Sequence, residues 1–98
     1  MIERHVTYDV HSGQQDAFER FIREEYAPTM SRAPGLVRVT LLREQEAPTL
    51  YHMVIAFESP EKAAEWRASE AHKALGATLK GFLLQSQVAT YQVVAQRP

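Results

Sequence analysis

Trp66 and His72 are the side chains in the second half of the chain that are best suited to chemistry. The imidazole of His72 titrates near neutral pH, so it can serve as a general base or as a polar anchor. Alternatively, His72 faces solvent, or its ring nitrogens are hydrogen-bonded within the core. Trp66 can line a pocket and stack on an aromatic substrate, or it can pack at a helix edge or at the rim of a dimer. Both readings stay open for each residue.

Tyr8 completes the set of candidate catalytic residues. A buried tyrosine hydroxyl needs a hydrogen-bonding partner, which favours a position at a pocket over one in a solid core. Tyr51, Met53 and Phe21 are predicted to share the helix-covered side of the sheet and to contact the substrate, or else to belong to the ordinary core. For Phe18, core packing is the expectation.

His5 and His52 fall on strands that the predicted fold makes neighbours. With Asp9 they are expected to form a polar cluster at the centre of a dimer, with Arg38 as a partner for Asp9. A metal site would need several ligands converging at about 2.1 Å, and no close sequence spacing supports one. We therefore predict hydrogen-bonded polar groups and no bound metal.

Composition excludes several classes of function. The chain has 98 residues, which predicts one domain, and no cysteine, which rules out disulfides, thiolate metal sites and a cysteine nucleophile. A net charge of −1 with interspersed acids and bases does not predict a basic patch of the kind that binds nucleic acid. The charged N-terminus does not read as a signal peptide, and no apolar run reaches the roughly 20 residues of a membrane span. We expect a cytoplasmic protein.

Hydrophobic periodicity predicts the elements that position these residues. Alternating apolar residues predict strands, and apolar residues three and four apart predict helices. The strands are expected at 2–11, 36–46, 50–58 and 85–95, and the helices at about 15–27 and 60–79.

Several residues are expected to set the ends of the helices. Ser12 is predicted to cap the first helix with Gln15 reaching back, and Pro28 to end or bend it. Ser59 is predicted to cap the second helix, and Ser69 to begin a new helical piece. Gly76 is expected near a fraying helix end.

The order β-α-β-β-α-β is that of the ferredoxin-like α+β fold. Right-handed crossovers place both helices on one face of a four-stranded antiparallel sheet with the strand order 4-1-3-2. The other face of a monomer should then be polar. Strand three is instead apolar on both sides, with Tyr51 and Met53 on one and Leu50 and Val54 on the other. We therefore predict a homodimer formed sheet on sheet.

The chain resembles the antibiotic biosynthesis monooxygenase (ABM) domains of the dimeric α+β barrel superfamily. The resemblance rests on a series of short segments: His11-Ser12-Gly13, Phe18, Ala33-Pro34-Gly35-Leu36, Phe57-Glu58-Ser59-Pro60-Glu61 and Trp66-Arg67-Ala68-Ser69-Glu70-Ala71-His72. It implies a homodimeric barrel with a pocket in each subunit, between the sheet and the helices.

The resemblance also implies a choice of activities. It favours a monooxygenase that acts on a small aromatic or apolar compound without metal or flavin, so that no cofactor is expected. The alternatives are a non-catalytic dimer that binds a small molecule and a cofactor-free isomerase or cyclase. The haem-degrading relatives have a tryptophan followed ten residues later by a histidine. Because Gly76 stands there in this chain, haem degradation is disfavoured.

Overall fold

The computed structural model describes residues Met1–Pro98. Its strands are β1 (Ile2–Val10), β2 (Leu36–Arg43), β3 (Leu50–Phe57) and β4 (Leu83–Gln92). Its helices are α1 (Gln15–Phe21), α2 (Ala27–Met30), α3 (Pro60–Ala68) and α4 (Glu70–Lys80), and a π-helical turn (Ile22–Tyr26) joins α1 to α2. The predicted element order is confirmed.

The four strands form one antiparallel sheet in the order β2-β3-β1-β4, the predicted order read from the other edge. Paired residues share a face of the sheet, so the register assigns both faces. Tyr8 lies opposite Tyr51, and Val6 opposite Met53, on the face that the helices cover. His5 lies opposite Val54 and Thr7 opposite His52 on the other face, which we call the open face.

The hydrophobic core lies between the helices and the covered face of the sheet. It combines side chains from β1, β3 and every helical segment, among which Val10, Phe18, Met30, Met53 and Phe57 are the most deeply buried. The predicted helix-side positions of Tyr8, Phe21, Tyr51 and Met53 are all in this core.

The ends of the first helix differ from the prediction. The N-cap is Gln14 rather than Ser12, and no side chain caps it. Gln15 does reach back, but its Oε1 accepts a 2.7 Å hydrogen bond from the amide of Gly13, which has a φ of 90°. Pro28 does not end the helix, because the chain widens into the π turn just before it. That turn relieves the clash between a proline ring and the carbonyl of the residue four positions earlier.

The second helical region follows the prediction closely. Ser59 caps α3 by accepting a hydrogen bond from the amide of Lys62, and the extended backbone of Ser69 separates α3 from α4. Ala64 and Ala68 are exposed, and the buried residues of α3 are Ala63 and Trp66. Gly76 lies inside α4, which continues to Lys80, rather than at a fraying end.

A β-bulge changes the phase of β2. The register shifts between Leu36 and Arg38, so Leu36 and Val39 both pair on the covered face, opposite Phe57 and Ile55. Leu36 and Leu42 therefore lie on opposite faces, whereas strict alternation along the strand would place them on the same one. Leu42 remains on the open face, opposite His52. No helix of the structure has the length and the apolar character of a membrane span.

Candidate functional site

A cavity of about 180 Å³ lies between β1, β4 and α4 on the covered side of the sheet. Its walls are mostly apolar, as is typical of small-molecule sites. We call it the helix–sheet cavity; its lining is Arg4, Val6, Tyr8, Tyr26, Met30, Ile55, Phe57, Trp66, His72, Gly76, Leu79, Lys80, Leu83, Ser86 and Val88. The three candidate catalytic residues, Tyr8, Trp66 and His72, therefore line one cavity.

Ser69 positions Trp66 and His72 relative to each other. Its hydroxyl donates a 2.7 Å hydrogen bond to the carbonyl of Trp66 and accepts a 3.1 Å hydrogen bond from the amide of His72. The break between α3 and α4 turns both side chains to the same side. Their rings meet edge to face with centroids 5.5 Å apart. Trp66 is only 6% exposed, so packing at an exposed helix edge is excluded.

Polar atoms of the cavity lining are buried without a hydrogen-bonding partner. They are Nε1 of Trp66, Nδ1 of His72 and Nε of Arg4. Each of these atoms has lost its hydrogen bonds to water and forms none within the protein, which costs free energy. Arg4, Trp66 and His72 come from β1, α3 and α4 and all line the cavity, but these three atoms have almost no accessible surface, so other atoms of the same side chains face the space. A mostly apolar lining with a few polar side chains is typical of small-molecule sites.

The cavity holds His72 in its neutral form. Burial lowers the pKa of the imidazole, and the positive charges of Arg4 and Arg67 lower it further. A neutral imidazole can accept a proton from a bound molecule. Burial also raises the pKa of Tyr8, so its hydroxyl stays protonated and is a donor. Its one contact within the protein is a long 3.9 Å interaction with Sδ of Met53, a weak acceptor.

Arg4 is a charged lining residue that the sequence prediction did not include. It lies on the covered face of β1, in a row otherwise occupied by Ile2, Val6 and Tyr8. A charged residue in the apolar row of a strand is a visible signal, because such a residue is seldom buried without a partner. Burial and the nearby Arg67 lower the pKa of its guanidinium.

The three residues expected to contact the substrate do not line the cavity. The hydroxyl of Tyr51 donates a 2.6 Å hydrogen bond to Glu19, and burial together with that bond raises the pKa of Tyr51 to about 12. Phe21 packs against Tyr26 and Phe82. Met53 is fully buried beneath Tyr8. These residues support the cavity wall rather than face it.

The histidines of the open face do meet, but in a different cluster from the one expected. His5 Nδ1 and His52 Nε2 are 2.9 Å apart, and His5 Nε2 lies 2.9 Å from a carboxylate oxygen of Glu3. Arg38 pairs with Glu3 at 2.7 Å and not with Asp9. The hydrogen bond from His5 is the main cause that lowers the pKa of Glu3. Asp9 takes no part in this cluster, and no group of three or more side chains is arranged to hold a metal ion.

A larger depression of about 420 Å³ lies at the edge of the open face, beside Asp9, Leu42 and His52. None of the unpartnered buried polar atoms belongs to its lining. It is therefore a less specific site than the helix–sheet cavity, although it is larger.

The family model and the similar solved structures point to the same family. The family model described as antibiotic biosynthesis monooxygenase matches residues 1–78. SnoaB, a cofactor-independent oxygenase from Streptomyces nogalater, has 22% sequence identity and a TM-score of 0.88, over 99% of this chain and 96% of that chain. No match is found among the curated proteins.

Proteins from two further organisms have a similar fold. One, from Bordetella bronchiseptica, is provisionally assigned as an antibiotic biosynthesis monooxygenase; its sequence identity is 25% and its TM-score 0.85, over 96% of this chain and 97% of that chain. The other, from Nitrosomonas europaea, has the same provisional assignment, 19% identity and a TM-score of 0.86, over 97% of this chain and 100% of that chain. The similarity in each case extends along nearly the whole chain.

Proposed function

Since residues 1–78 match its family model, the chain belongs to the antibiotic biosynthesis monooxygenase family, and we propose that it is an oxygenase for a small aromatic compound bound in the helix–sheet cavity. A cavity of about 150 Å³ with apolar walls is large enough for benzene. The volume of about 180 Å³ therefore suits a compound of one or two rings with a few polar substituents.

The observation that carries this proposal is that Tyr8, Trp66 and His72, from three different elements, line one mostly apolar cavity. Such a cavity suits an aromatic ring that bears a few polar substituents. The edge-to-face pair of Trp66 and His72 would meanwhile give the aromatic ring a rigid surface.

The proposed reaction needs no electron donor besides the substrate. For a naphthol, His72 takes the proton of the ring hydroxyl, and the electron-rich ring then attacks O₂ at the carbon para to the oxygen. A C–O bond forms, the O–O bond breaks, and the second oxygen leaves as water with the hydroxyl proton and the displaced ring proton. The substrate loses four electrons and O₂ gains four. SnoaB, a fold neighbour, is a cofactor-independent oxygenase, which supports a reaction of this kind.

Oxygen uptake with 1,5-dihydroxynaphthalene tests the proposal. We expect one O₂ consumed for each 5-hydroxy-1,4-naphthoquinone formed, faster than the spontaneous reaction. Catalase should return no O₂, because water rather than peroxide is the product. His72→Gln should slow the reaction by about 10²-fold or more, the size of a general acid–base contribution. Trp66→Phe keeps an aromatic ring in the cavity wall and should slow the reaction by a smaller factor. His11→Gln, at an exposed histidine, is the matched control.

Other results would point to the alternative functions. Turnover that proceeds equally well without O₂ would replace the oxygenase by an isomerase or cyclase. Thermal stabilisation by aromatic ligands without any turnover would leave a binding protein.

We propose further that the protein is a homodimer joined through its open face. Leu42, Leu50 and Tyr91 lie on that face with 51%, 37% and 53% of their surface exposed. An antiparallel sheet whose second face meets water normally presents polar side chains there. A second copy of the chain, packed sheet on sheet about a twofold axis, would cover these residues. The cavity, on the other side of the sheet, would remain accessible.

A further inference from the structure

The charged groups at the helix–sheet cavity all have the same sign. Arg4 and Lys80 line it, and Arg67 is close enough to affect both Arg4 and His72. No aspartate or glutamate lines it, although the chain has 12 acidic residues and 11 basic ones. The cavity is therefore positive in a protein that is close to neutral overall.

Arg4 lacks the carboxylate partner that a half-buried arginine normally has. Arg38 and Arg43 each form an ion pair, with Glu3 and with Glu19, but Arg4 forms none. The charged and titratable groups that act on Arg4 are Arg67, Tyr26 and Tyr8. Burial of one charge without its opposite is costly, and removal from water leaves Nε without any acceptor. A bound anion at the rest of the guanidinium would supply the opposite charge.

From these observations we propose that the cavity binds its aromatic ligand as an oxyanion, with Arg4 as the residue that recognises the negative oxygen. Tyr8 adds a hydroxyl donor to the same lining, and Lys80 adds positive charge. The oxyanion is either a carboxylate attached to the ring or an ionised ring hydroxyl. This inference rests on the cavity assigned under the proposed function and specifies the class of compound that it admits.

Pairs of charged and neutral ligands test this inference without any turnover. Trp66 is the only tryptophan, so its fluorescence reports on the cavity directly. Benzoate and benzamide have nearly the same shape, and benzoate should bind at least about tenfold more tightly if the ring carries a carboxylate, as a hydrogen bond to a charged group would give. If the anion is an ionised hydroxyl, 4-nitrophenol should gain phenolate absorbance when protein is added at mildly acidic pH.

The variant Arg4→Met keeps the unbranched side chain and removes the charge. It should abolish the preference for benzoate or the gain in phenolate, while the binding of benzamide stays as in the wild type and shows that the fold is intact. Arg4→Lys should retain part of the preference, because the charge remains but the planar set of donors is lost. Arg20→Gln removes an equal charge from the exposed side of α1 and should change neither signal.

Each result separates this inference from the proposed oxygenase. Equal binding of benzoate and benzamide, together with an unchanged nitrophenol spectrum, overturns the recognition of an oxyanion, and so does a wild-type preference in Arg4→Met. Oxygen uptake could then still be present. Selective binding of the anion without oxygen uptake would instead overturn the oxygenase and leave the inference standing.

Discussion

At the scale of the residue, the protonation state of His72 controls the proposed chemistry. The imidazole must be neutral to take a proton from the substrate. Burial disfavours its charged form, and the positive charges of Arg4 and Arg67 act in the same direction. The same cations that would hold an anionic ligand thus also keep the base free of its proton. Anion binding and proton acceptance are two consequences of one cluster of charges.

We predict that His72 titrates below its ordinary pKa of 6.5 and that Arg67→Gln raises its pKa toward that value. The reason is that Arg67 is one of the positive charges that destabilise the imidazolium. The titration of the His72 ring protons by NMR measures both values, and Arg20→Gln should leave the titration unchanged. A His72 pKa at or above 6.5 in the wild type would contradict the prediction.

This shift also links stability to pH. Because the pKa of His72 is lower in the folded than in the unfolded chain, the unfolded chain binds more protons between the two values. The contribution of His72 to the free energy of unfolding is thus complete above 6.5 and is lost as the pH falls through the window below it. Denaturant titrations should show a flatter pH dependence in His72→Gln than in the wild type or in His11→Gln.

The sequence was sufficient to single out Tyr8, Trp66 and His72 as candidates, because each is a polar or amphipathic side chain whose burial would need explaining, and the structure places all three at one cavity. It was not sufficient for the apolar lining. Tyr51, Met53 and Phe21 share the covered face, but periodicity cannot say which residues of a face border a cavity and which fill the core behind it. Arg4 could have been predicted as a site residue, because its charge interrupts the apolar row of β1.

At the scale of the element, the junction between α3 and α4 places Trp66 and His72 at the cavity. Ser69 ends one helix and starts the next with a single hydroxyl. A continuous helix would separate Trp66 and His72 by about 120° around its axis, since each residue turns the helix by about 100°. The break at Ser69 brings both onto the cavity instead. The cap was predictable from the serine, but the resulting orientation required the structure.

Ser69→Ala should therefore affect stability and site together. We predict a loss of about 1 kcal/mol, the usual cost of removing a serine cap, or a decrease of about 4–8 °C in Tm. Ligand-dependent quenching of Trp66 should weaken as well. Ser69→Asp restores a capping oxygen and should recover the stability. Ser31→Ala is the matched control, since the Ser31 hydroxyl is exposed and bonds only to the carbonyl of Ala27. Equal effects of Ser69→Ala and Ser31→Ala would contradict this role.

The turn before β2 depends on Gly35 for two reasons. Its φ is 85°, and a Cβ there would lie 2.5 Å from Cγ of Lys62 in α3. Gly13 has a similar φ of 90° but open space around it. Gly13→Ala should thus cost about 1–2 kcal/mol for the left-handed backbone alone. Gly35→Ala should cost clearly more, because α3 must also shift. Thermal denaturation of both variants measures the difference, and equal losses would show that Lys62 moves away freely.

The departures from the predicted elements have local causes that the hydrophobic pattern does not contain. A π turn lets the first helix pass Pro28, and a bulge at Val37 reverses the phase of β2. Both insert one residue into a regular repeat, which shifts every later side chain relative to a periodic template. The element order and strand order survive such shifts, because they depend on whole segments and on the handedness of the crossovers.

At the scale of the whole molecule, the sheet separates the proposed ligand site from the proposed dimer interface. Its covered face bears the cavity with its positive charges, and its open face bears Leu42, Leu50 and Tyr91 around the paired rings of His5 and His52. Glu3 can only accept, so His5 Nε2 donates to it. Glu3, His5, His52 and Arg38 thus meet part of one another's hydrogen-bonding capacity within one chain, which lowers the cost of covering the open face in a dimer.

The dimer and the cavity should therefore be separable by mutation. We predict that the wild type sediments as a dimer at micromolar concentration. Leu42→Glu should weaken the dimer by at least about tenfold, because a carboxylate would be buried in the interface without a partner. Ala64→Glu adds the same charge on the exposed side of α3 and should leave the dimer intact.

Since Leu42 does not line the cavity, benzoate should still quench Trp66 in the dissociated Leu42→Glu protein. A wild-type monomer would refute the interface. Loss of ligand binding in a folded Leu42→Glu monomer would show instead that dimer formation is needed to shape the cavity, so that the two faces of the sheet act as one unit.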